Sequence, residues 1–524
     1  MARSSLLNVL SASFGLVVTA GCLTSFELVD LYGPGLSPGA QIIHISDSNF
    51  IEQVTQRWTL YAEPAFYGAI KPATEADVQH IVRVSAAHNI SFLATGRGHG
   101  ASTTLEGLYG IEIDLSNFNS VNLDVANDLL TIGGAVNFSQ LYEPLYYAGK
   151  MLRKPCLPSS YHILLWYMHL GEHFGLNVSF GLHIAMGNSP CVGVTGAMLG
   201  GTIGIFEGLF GLALDALESV RLVTATGDIV EVSETQHADL FWGIRGAGMN
   251  FGIVTSSTFR VYDAVNGGNA TSTTLVYPGN QNGSVWEAVK SFDEYIPNEL
   301  AITVGAEFNR TTANYNFTQM EIVANALYFG SAEEAEKYLT PFAEAGPLST
   351  SRNEVSWPQF FSALSIADTT ECVPGQYSNG YAIGLKQTDV PSFVSYFNKL
   401  ADFSVKYPEF NGSFTIDRYP NAVALSVPDY QTAYPHREIK THLLLESYYP
   451  NSTLDVPVND LIQTARAQFQ AMSGFEHLSV YVNFAHGDEG VDAWYTPRKL
   501  PNLTRLKRKW DPDQLFSWYF PVPL

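Results

Sequence analysis

One short loop in the chain combines a reactive side chain with an unusual density of glycine. In the stretch ATGRGHG, Gly96, Gly98 and Gly100 alternate with Arg97 and His99. Glycines at this spacing let successive backbone N–H groups turn inward as a nest, which suits a pyrophosphate group. A solvated loop histidine is the ordinary alternative for His99, although histidine has no turn propensity to explain its place here. The loop predicts an anion-binding turn that carries an imidazole.

Two further segments, Gly187–Gly211 and Leu240–Ser256, repeat this density of glycine. A surface with few side chains lets a flat ligand approach the backbone, whereas close packing of strands and helices is the structural alternative. Three such regions in one part of the chain predict a single extended ligand lying between them. The glycines concerned are Gly193, Gly196, Gly200, Gly201, Gly204, Gly243, Gly246, Gly248 and Gly252.

A different chemistry is suggested by HLGEH at residues 169–173, which matches the H-x-x-E-H signature of zinc hydrolases. Read literally, His169 and His173 bind zinc with His183 as a third ligand, and Glu172 acts as the base. The match is five letters long and lacks its supporting domain. We therefore assign no metal site.

The elements that position the glycine loops alternate between strand and helix from Tyr67 to about Tyr262. Thr74 followed by Asp77 has the form of a capping box and predicts the start of a helix. Thr226-Gly227 predicts the turn of a hairpin. Short strands are predicted in SFLATG, in Gly110–Ser116, in Leu129–Val136 and on both sides of the hairpin turn.

After about residue 264 the pattern changes to β-rich runs, such as THLLLESYY and HLSVYVNF, mixed with helices such as SAEEAEKYLTPFAEAG. This predicts an α+β fold with a first domain over residues 67–263 and a second over 264–489, built on an antiparallel sheet flanked by helices. The segment 490–524 reads as a helix and tail that return to the first domain.

Composition limits the function. The 524 residues carry 28 Lys and Arg against 50 Asp and Glu, a net charge of −22, and this field opposes binding to nucleic acid. With 46% hydrophobic residues the chain can bury large cores, while four cysteines are too few for a disulfide scaffold.

The first twenty residues have the form of a secretory signal peptide, with Arg3, an apolar run and a small-residue cleavage site ending at Ala20. No later segment has the apolar length of a membrane anchor. We expect a secreted protein that is N-glycosylated. Its sequons begin at Asn89, Asn137, Asn177, Asn269, Asn282, Asn309, Asn316, Asn411, Asn451 and Asn502.

In their order, KPATEADV, GRGHG, IDLS, PCVGVTGAMLGG and DLFWGIRGAGMNFGIVTS resemble the FAD-binding domain of the vanillyl-alcohol oxidase and p-cresol methylhydroxylase (PCMH) superfamily. Within it, the chain is most similar to the berberine-bridge-enzyme-like group in a fungal form. YVNF, TAYPHR and NLTRLKRKWDPDQLF belong to the same pattern, which covers nearly all of the mature chain.

The resemblance implies a two-lobed PCMH-type domain that binds FAD, with His99 linked covalently to the flavin. Many relatives have a second link from a cysteine at the position of Ser189, so a single link is expected here. Cys191 is expected to be a packed thiol, and Ala197 replaces a flavin-contacting histidine of many relatives. The implied cofactor-binding residues are His99, Gly96, Arg97, Gly98, Gly100, Val192, Gly193, Gly196, Gly200, Gly201, Gly252 and Ile253.

The implied reaction transfers a hydride from a small organic substrate to flavin while a base takes a proton, with O₂ as the acceptor that yields H₂O₂. Tyr481, Glu446 and Asn483 are the first catalytic candidates; Tyr448 and His486 are further ones, and His436 is expected to order the substrate sheet. The missing second link favours secondary metabolism over the oxidation of sugars or other alcohols. A catalytically impaired flavin-binding protein is the rival from another class.

Residues 152–185 do not fit the family pattern. In that pattern, only a few residues connect the preceding helix to the glycine-rich loop that follows. The segment is either a lid over the cofactor or a retained intron. We favour the intron, because deleting the segment restores the family pattern almost letter for letter.

Overall fold

The structure is a computed structural model that describes residues 24–148, 150–152, 189–308, 320–356, 359–360 and 372–524. It has the expected α+β fold in two domains, one built on two sheets and one on a single large sheet. The signal segment 1–20, the HLGEH motif and all but the first residue of the 152–185 segment lie outside the described residues. Within the described residues, no helix is long and apolar enough to cross a bilayer.

The first sheet has the order β1-β2-β4-β3, and β2, β4 and β3 run parallel. Thr74 caps the helix that follows β2, and its reciprocal bonds with Asp77 confirm the predicted capping box. Two helices and β1 precede residue 67, so this lobe begins upstream of the predicted boundary. The elements are α1 Ser25–Tyr32, β1 Gln41–His44, α2 Phe50–Gln53, β2 Ala65–Lys71, α3 Glu75–His88, β3 Phe92–Thr95 and β4 Tyr109–Asp114.

The second sheet has the order β5-β6-β10-β8-β9, with β7 paired to β10. The hairpin between β8 and β9 is confirmed, and Gly227 at its turn has a φ of 73°, a conformation that glycine adopts without strain. The elements are β5 Val121–Asp124, β6 Leu129–Gly133, α4 Ser139–Ala148, β7 Lys150–Leu152, α5 Val194–Gly200, α6 Glu207–Phe210, β8 Leu217–Val223, β9 Ile229–Ser233, α7 Ala238–Ala247 and β10 Ile253–Asp263.

The third sheet is antiparallel throughout, with the order β14-β11-β13-β12-β16-β17-β15. The strands are β11 Asn269–Pro278, β12 Leu300–Phe308, β13 Met320–Tyr328, β14 Ser349–Ser356, β15 Ser378–Leu385, β16 Asn411–Arg418 and β17 Thr441–Tyr448. The helices that accompany it are α8 Asn282–Lys290, α9 Ala332–Glu344, α10 Val390–Lys406, α11 Ala422–Ser426 and α12 Asp455–Met472.

Strand β16 shows how the third sheet divides its two faces. Phe414 and Ile416 are fully buried in the core between the sheet and its helices, where Trp286 of α8 stacks on Phe393 of α10 at 4.6 Å. Alternate residues of a strand point to opposite faces. Thr415 therefore lies on the other face of the sheet, which is left for a ligand.

The C-terminal helix α13, Val491–Trp510, and its tail return to the first domain. Lys507 is fully buried, and its ammonium donates to the carbonyl of Asn250 at 2.9 Å and to the carboxylate of Asp511 at 2.7 Å. The ring of Phe516 in the tail packs edge-on against Phe92 of β3 at 5.6 Å. The end of the chain thereby fastens the two sheets of the first domain together.

The prediction of a strand in HLSVYVNF is wrong. The backbone bond from Gly384 N to Ser479 O (2.8 Å) is not continued into a ladder with β15, and Val482–Phe484 form a 3₁₀ turn. Side-chain hydrogen bonds to the first domain hold Tyr481 and Asn483 in place of a ladder.

The expectation that Cys191 is a packed thiol is also wrong, because Cys191 forms a disulfide with Cys372. The bond joins the loop before α5, in the first domain, to the segment that leads into β15 of the second. No sequence motif predicts this disulfide, because the two cysteines are 181 residues apart.

Replacing Cys191 and Cys372 together by serine should lower the free energy of unfolding by about 2–4 kcal/mol, because the crosslink restricts the unfolded chain. Chemical denaturation with and without a dithiol reductant measures the difference. A non-reducing digest of the wild-type protein should yield the linked peptide pair. Alkylation of both thiols in the native, unreduced protein would contradict the assignment.

Candidate active site between the two domains

A cavity of about 490 Å³ lies between the glycine loops of the first domain and the open face of the third sheet. From the first domain it is lined by the loop Gly96–Gly100, by the start of α5 and by the start of β10. From the second domain it is lined by side chains of β12, β16 and β17, together with segment 483–486. A cleft with polar groups converging from two domains is where a cofactor and a substrate can meet.

The loop that carries His99 follows β3 directly and is pressed between two backbone segments. Gly98 has a φ of 75°, and a Cβ there would lie 2.1 Å from the carbonyl oxygen of Gln56. A Cβ on Gly96 would lie 2.9 Å from the carbonyl oxygen of Gly134. Only glycine fits at Gly98, so the loop is held in one shape and His99 is presented to the cavity.

The imidazole of His99 is unprotonated at neutral pH. Burial and the neighbouring charges of Arg57 and Arg97 lower the pKa of His99 to about 4. Its ring lies parallel to the indole of Trp58, with 6.1 Å between the ring centroids. A neutral imidazole keeps a lone pair available for a bond or a hydrogen bond.

Residues 55–61, here called the strap, form the wall of the cavity beside His99. Trp58 N donates to Gly98 O at 3.0 Å on one side, and Gly375 N donates to Arg57 O at 2.9 Å on the other. The strap thus connects the His99 loop to the segment that leads into β15. Sequence reasoning missed these residues, because the strap contains no glycine cluster or motif. The strap residues that line the cavity are Arg57, Trp58, Thr59 and Tyr61.

The structure separates the other predicted cofactor residues into two groups. Val192, Gly193, Gly196, Gly252 and Ile253 line the cavity, and a Cβ on Gly196 would meet nothing within 4 Å. This backbone surface leaves the space that a flat ring system needs.

Gly200 and Gly201 do not line the cavity. A Cβ on Gly200 would lie 2.0 Å from Oδ1 of Asn483, and a Cβ on Gly201 would lie 2.7 Å from the ring of Tyr434. The structure thus gives these two glycines a packing role, because they allow the second domain to approach α5.

Tyr481 and Asn483 are held together at the boundary of the cavity. Tyr481 Oη accepts hydrogen bonds from Thr202 N at 2.9 Å and from Asn483 Nδ2 at 2.6 Å, while Nδ2 also donates to Ala197 O at 2.8 Å. Burial raises the pKa of Tyr481 far above neutral pH. These hydrogen bonds fix both side chains against the first domain near α5.

Glu446 lies in the middle of β17, between Gly380 of β15 and Ser413 of β16. It is half-buried and lines the cavity. A Cβ on Gly380 would meet nothing within 4 Å, so the space beside Glu446 is open. Asp417 on the same face accepts hydrogen bonds from Tyr419 Oη at 2.7 Å and Thr303 Oγ1 at 3.2 Å. The sheet thus presents carboxylates to whatever occupies the cavity.

The remaining candidates occupy different positions. Tyr448 does not line the cavity but contacts the edge of Trp58. His436 is buried, and its Nε2 lies 3.1 Å from the carbonyl oxygen of Trp494, so it holds the C-terminal helix. Among the described residues, no cluster of three or more His, Cys, Asp and Glu side chains is suited to a metal ion.

Comparison with known proteins assigns this arrangement to a class. Residues 67–160 match the family described as FAD binding domain, and residues 480–523 match the family described as berberine and berberine like. The FAD-linked oxidoreductase azaL of Aspergillus niger is 44% identical over 506 residues, which cover 95% of this chain and 99% of that protein. The FAD-linked oxidoreductase tazG of Aspergillus terreus is 42% identical and covers 96% of both chains.

Solved structures show the same fold at lower identity. The wild-type BBE-like 1 protein of Physcomitrella patens has a TM-score of 0.76 at 22% identity, covering 95% of this chain and 99% of that one. The xylooligosaccharide oxidase of Myceliophthora thermophila has a TM-score of 0.72 at 21% identity, with 92% and 96% covered. These likenesses establish the architecture.

Fold and site together define a PCMH-type flavoenzyme. The chain belongs to the fungal berberine-bridge-enzyme-like FAD-linked oxidoreductases, and it is an enzyme that binds FAD. The cavity fits this cofactor, because Gly196 lines its first-domain wall without a side chain, and a Cβ there would project into open space.

Substituting Gly98 by alanine should destabilise the protein by at least about 1–2 kcal/mol from the left-handed backbone alone. The clash with Gln56 should displace the His99 loop and lower the ratio of flavin to protein. Gly283→Ala in α8, where a Cβ meets nothing within 4 Å, is the matched control and should change stability by about 1 kcal/mol or less. Equal stability and flavin content in the two variants would refute the role given to Gly98.

The low pKa values of two buried histidines predict that the protein loses stability in acid. Burial lowers the pKa of His436 to about 4 and that of His442 to about 3, whereas an unfolded histidine titrates near 6.5. The unfolded chain therefore binds more protons below about pH 6.5, and the free energy of unfolding falls by up to about 1.4 kcal/mol per pH unit for each histidine.

Chemical denaturation between about pH 7 and about pH 5 measures this slope. His436→Gln should remove the part of this pH dependence that His436 contributes. His477→Gln is the control, since that side chain is 73% exposed, and it should leave the slope unchanged. An identical slope in wild type and His436→Gln would count against the assignment.

Proposed function

We propose that the enzyme oxidises a small organic substrate by hydride transfer to FAD that is linked covalently to His99, with O₂ as the acceptor and H₂O₂ as the second product. FAD supplies the two-electron chemistry when bound. The protein positions the substrate and takes up its proton. The observation that carries the proposal is geometric: His99, on a loop where position 98 has no room for a side chain, lines the same cavity as Glu446 and Asp417 of the third sheet.

The state of His99 supports the proposed covalent link. A lone pair that is free at neutral pH can attack an electrophilic carbon of the cofactor, and the charges of Arg57 and Arg97 keep it free. A second link is not expected. Ser189 lines the cavity but has no thiol, and the sulfur of Cys191 is bound to Cys372.

The cavity favours an aromatic or polyketide-like substrate of secondary metabolism. The aromatic residues Trp58, Tyr61 and Phe484 line it and are partly exposed, so they can pack against a flat molecule. Glu446 is the first candidate for proton transfer from the side of the sheet.

A carbohydrate oxidase is the second candidate. Structural neighbours include proteins described as a chitooligosaccharide oxidase and as a glucooligosaccharide oxidase of Acremonium strictum, the latter with a 6-S-cysteinyl, 8α-N1-histidyl FAD. Because residue 189 is a serine and has no thiol, we rank the carbohydrate oxidase below the oxidase of secondary metabolism.

We also propose that the protein is exported and glycosylated. A disulfide suits an oxidising compartment. Sequons at Asn89, Asn411 and Asn451 are exposed, whereas Asn137 is buried and is not expected to carry a glycan.

Acid precipitation of the holoenzyme tests the covalent link. The wild-type pellet should stay yellow, whereas His99→Ala should release its flavin into the supernatant while still binding it before acid treatment. His477→Gln, at an exposed site, should behave as wild type. A colourless wild-type pellet would refute the link.

Peroxide release from a panel of aromatic alcohols, phenols and oligosaccharides then separates the candidate functions. Release from the aromatic compounds supports the proposal, and release confined to the oligosaccharides supports the second candidate. A yellow protein that releases no peroxide with any compound would instead support the catalytically impaired flavin-binding protein.

A further inference from the structure

One residue of strand β15 is exposed, and it lines the cavity. Gly380 is exposed, whereas every other residue of Ser378–Leu385 is buried. It lies on an edge strand of the third sheet, directly opposite Glu446 of β17. Residues paired in this way have their side chains on the same face of the sheet. A side chain at position 380 would therefore project into the cavity beside Glu446.

The fold itself gives no reason for a glycine at this position. Glycine inside a strand weakens it and often marks a bulge, a bend, or the close approach of another backbone or of a ligand. The pairing of β15 with β17 keeps one register along its whole length, and Gly380 is not in the left-handed region. Among the described residues, no atom lies within 4 Å of the position that a Cβ would take. Of these reasons, the approach of a ligand remains.

Gly384 of the same strand shows the opposite case, in which packing does require glycine. A Cβ there would lie 2.3 Å from Cδ1 of Ile439 and 3.1 Å from the carbonyl oxygen of Ser479. Gly384 and Gly380 lie on the same face, because they are four residues apart in one strand. The chain itself therefore covers this face at Gly384 and leaves it open at Gly380.

The open space over Gly380 has defined borders. On one side the strap covers the strand, because Thr59 Oγ1 donates to Ser378 O at 2.7 Å and accepts a hydrogen bond from Ser378 N at 3.0 Å. Tyr448, which lies opposite Ser378 in β17, packs edge-on against Trp58 of the strap at 6.5 Å. Glu446 borders the space on the neighbouring strand. Bare backbone next to a partly exposed indole suits a flat ring.

We propose that Gly380 sets the size of the substrate, because the second ring of an aromatic substrate with two or more rings occupies the space over its backbone. The inference rests on the proposed function and specifies its substrate class. The first ring lies deeper in the cavity, toward the first domain, and the second packs over Gly380. Glu446 is then within reach of a hydroxyl group of the same molecule. A larger residue at position 380 would fill the space and admit only one ring.

Binding of phenol and of 4-phenylphenol to the holoenzyme tests the proposal. The two compounds differ by one ring, and neither has an alcohol C–H bond that could donate a hydride, so binding is measured without turnover. Titration followed by the flavin absorption spectrum gives each dissociation constant. Gly380→Leu should weaken binding of 4-phenylphenol by about tenfold or more, the gain expected from burying a phenyl ring, and binding of phenol by less than about twofold. Gly380→Ala should weaken 4-phenylphenol less than Gly380→Leu does.

Gly283→Leu in α8 is the matched control. A Cβ at Gly283 also meets nothing within 4 Å among the described residues, and this glycine does not line the cavity. The control should leave both dissociation constants unchanged, and flavin content and melting temperature show whether each variant is folded. Unchanged binding of 4-phenylphenol to Gly380→Leu, an equal loss for both compounds, or no binding of 4-phenylphenol to the wild type would overturn the proposal.

A cysteine at position 380 tests the occupancy of the space directly. In Gly380→Cys, saturating 4-phenylphenol should slow alkylation of the new thiol by iodoacetamide severalfold, whereas saturating phenol should not. Labelling of the wild-type protein is subtracted to account for its own cysteines. Alkylation at the same rate with and without 4-phenylphenol would contradict the proposed position of the second ring.

Failure of this proposal can be distinguished from failure of the proposed function. Selective loss of 4-phenylphenol binding in Gly380→Leu, without peroxide release from any compound, would refute the oxidase function and leave the size limit standing. Peroxide release from 4-biphenylmethanol with the same KM in the wild type and in Gly380→Leu would do the reverse.

Discussion

The approach of the strap to Gly98 is the contact on which the site depends. The carbonyl oxygen of Gln56 occupies the position that a Cβ would take at residue 98. Trp58 N, two residues further along the strap, donates a hydrogen bond to Gly98 O. The loop and the strap therefore form one rigid wall. His99 lines the cavity on this wall, and its ring lies parallel to the indole of Trp58, with 6.1 Å between the ring centroids.

The charge of the site depends on the protonation state of Glu112, whose carboxyl group is buried behind that wall. Burial and the neighbouring Asp114 raise the pKa of Glu112 to about 8, so this carboxyl is largely protonated at neutral pH and does not neutralise Arg57. Glu63 also interacts with Arg57, but the charges of Arg57 and Arg97 still lower the pKa of His99. Although the chain carries a net charge of −22, the loop is locally positive, which keeps His99 neutral and suits a pyrophosphate.

The sequence predicted the features that are local. The capping box at Thr74, the turn at Gly227 and the glycine loops depend on residues a few positions apart, and the structure has the first two where they were expected. The strap and the Cys191–Cys372 bond depend on residues far apart in the chain. The packing role of Gly200 could not be predicted either, because it follows from where Asn483 lies in the folded protein.

The 3₁₀ turn at YVNF, which replaces the predicted strand, allows one short segment to contact two different groups of residues. In a strand, Tyr481, Asn483 and residue 485 would share one face, and His486 would point away from them. The 3₁₀ turn removes this alternation. Tyr481 and Asn483 thus bond to the first domain near α5, while His486 turns to Tyr381 and Asp488. Segment 481–486 therefore connects the first-domain wall near α5 to the cluster of Tyr381 and Asp488 in the second domain.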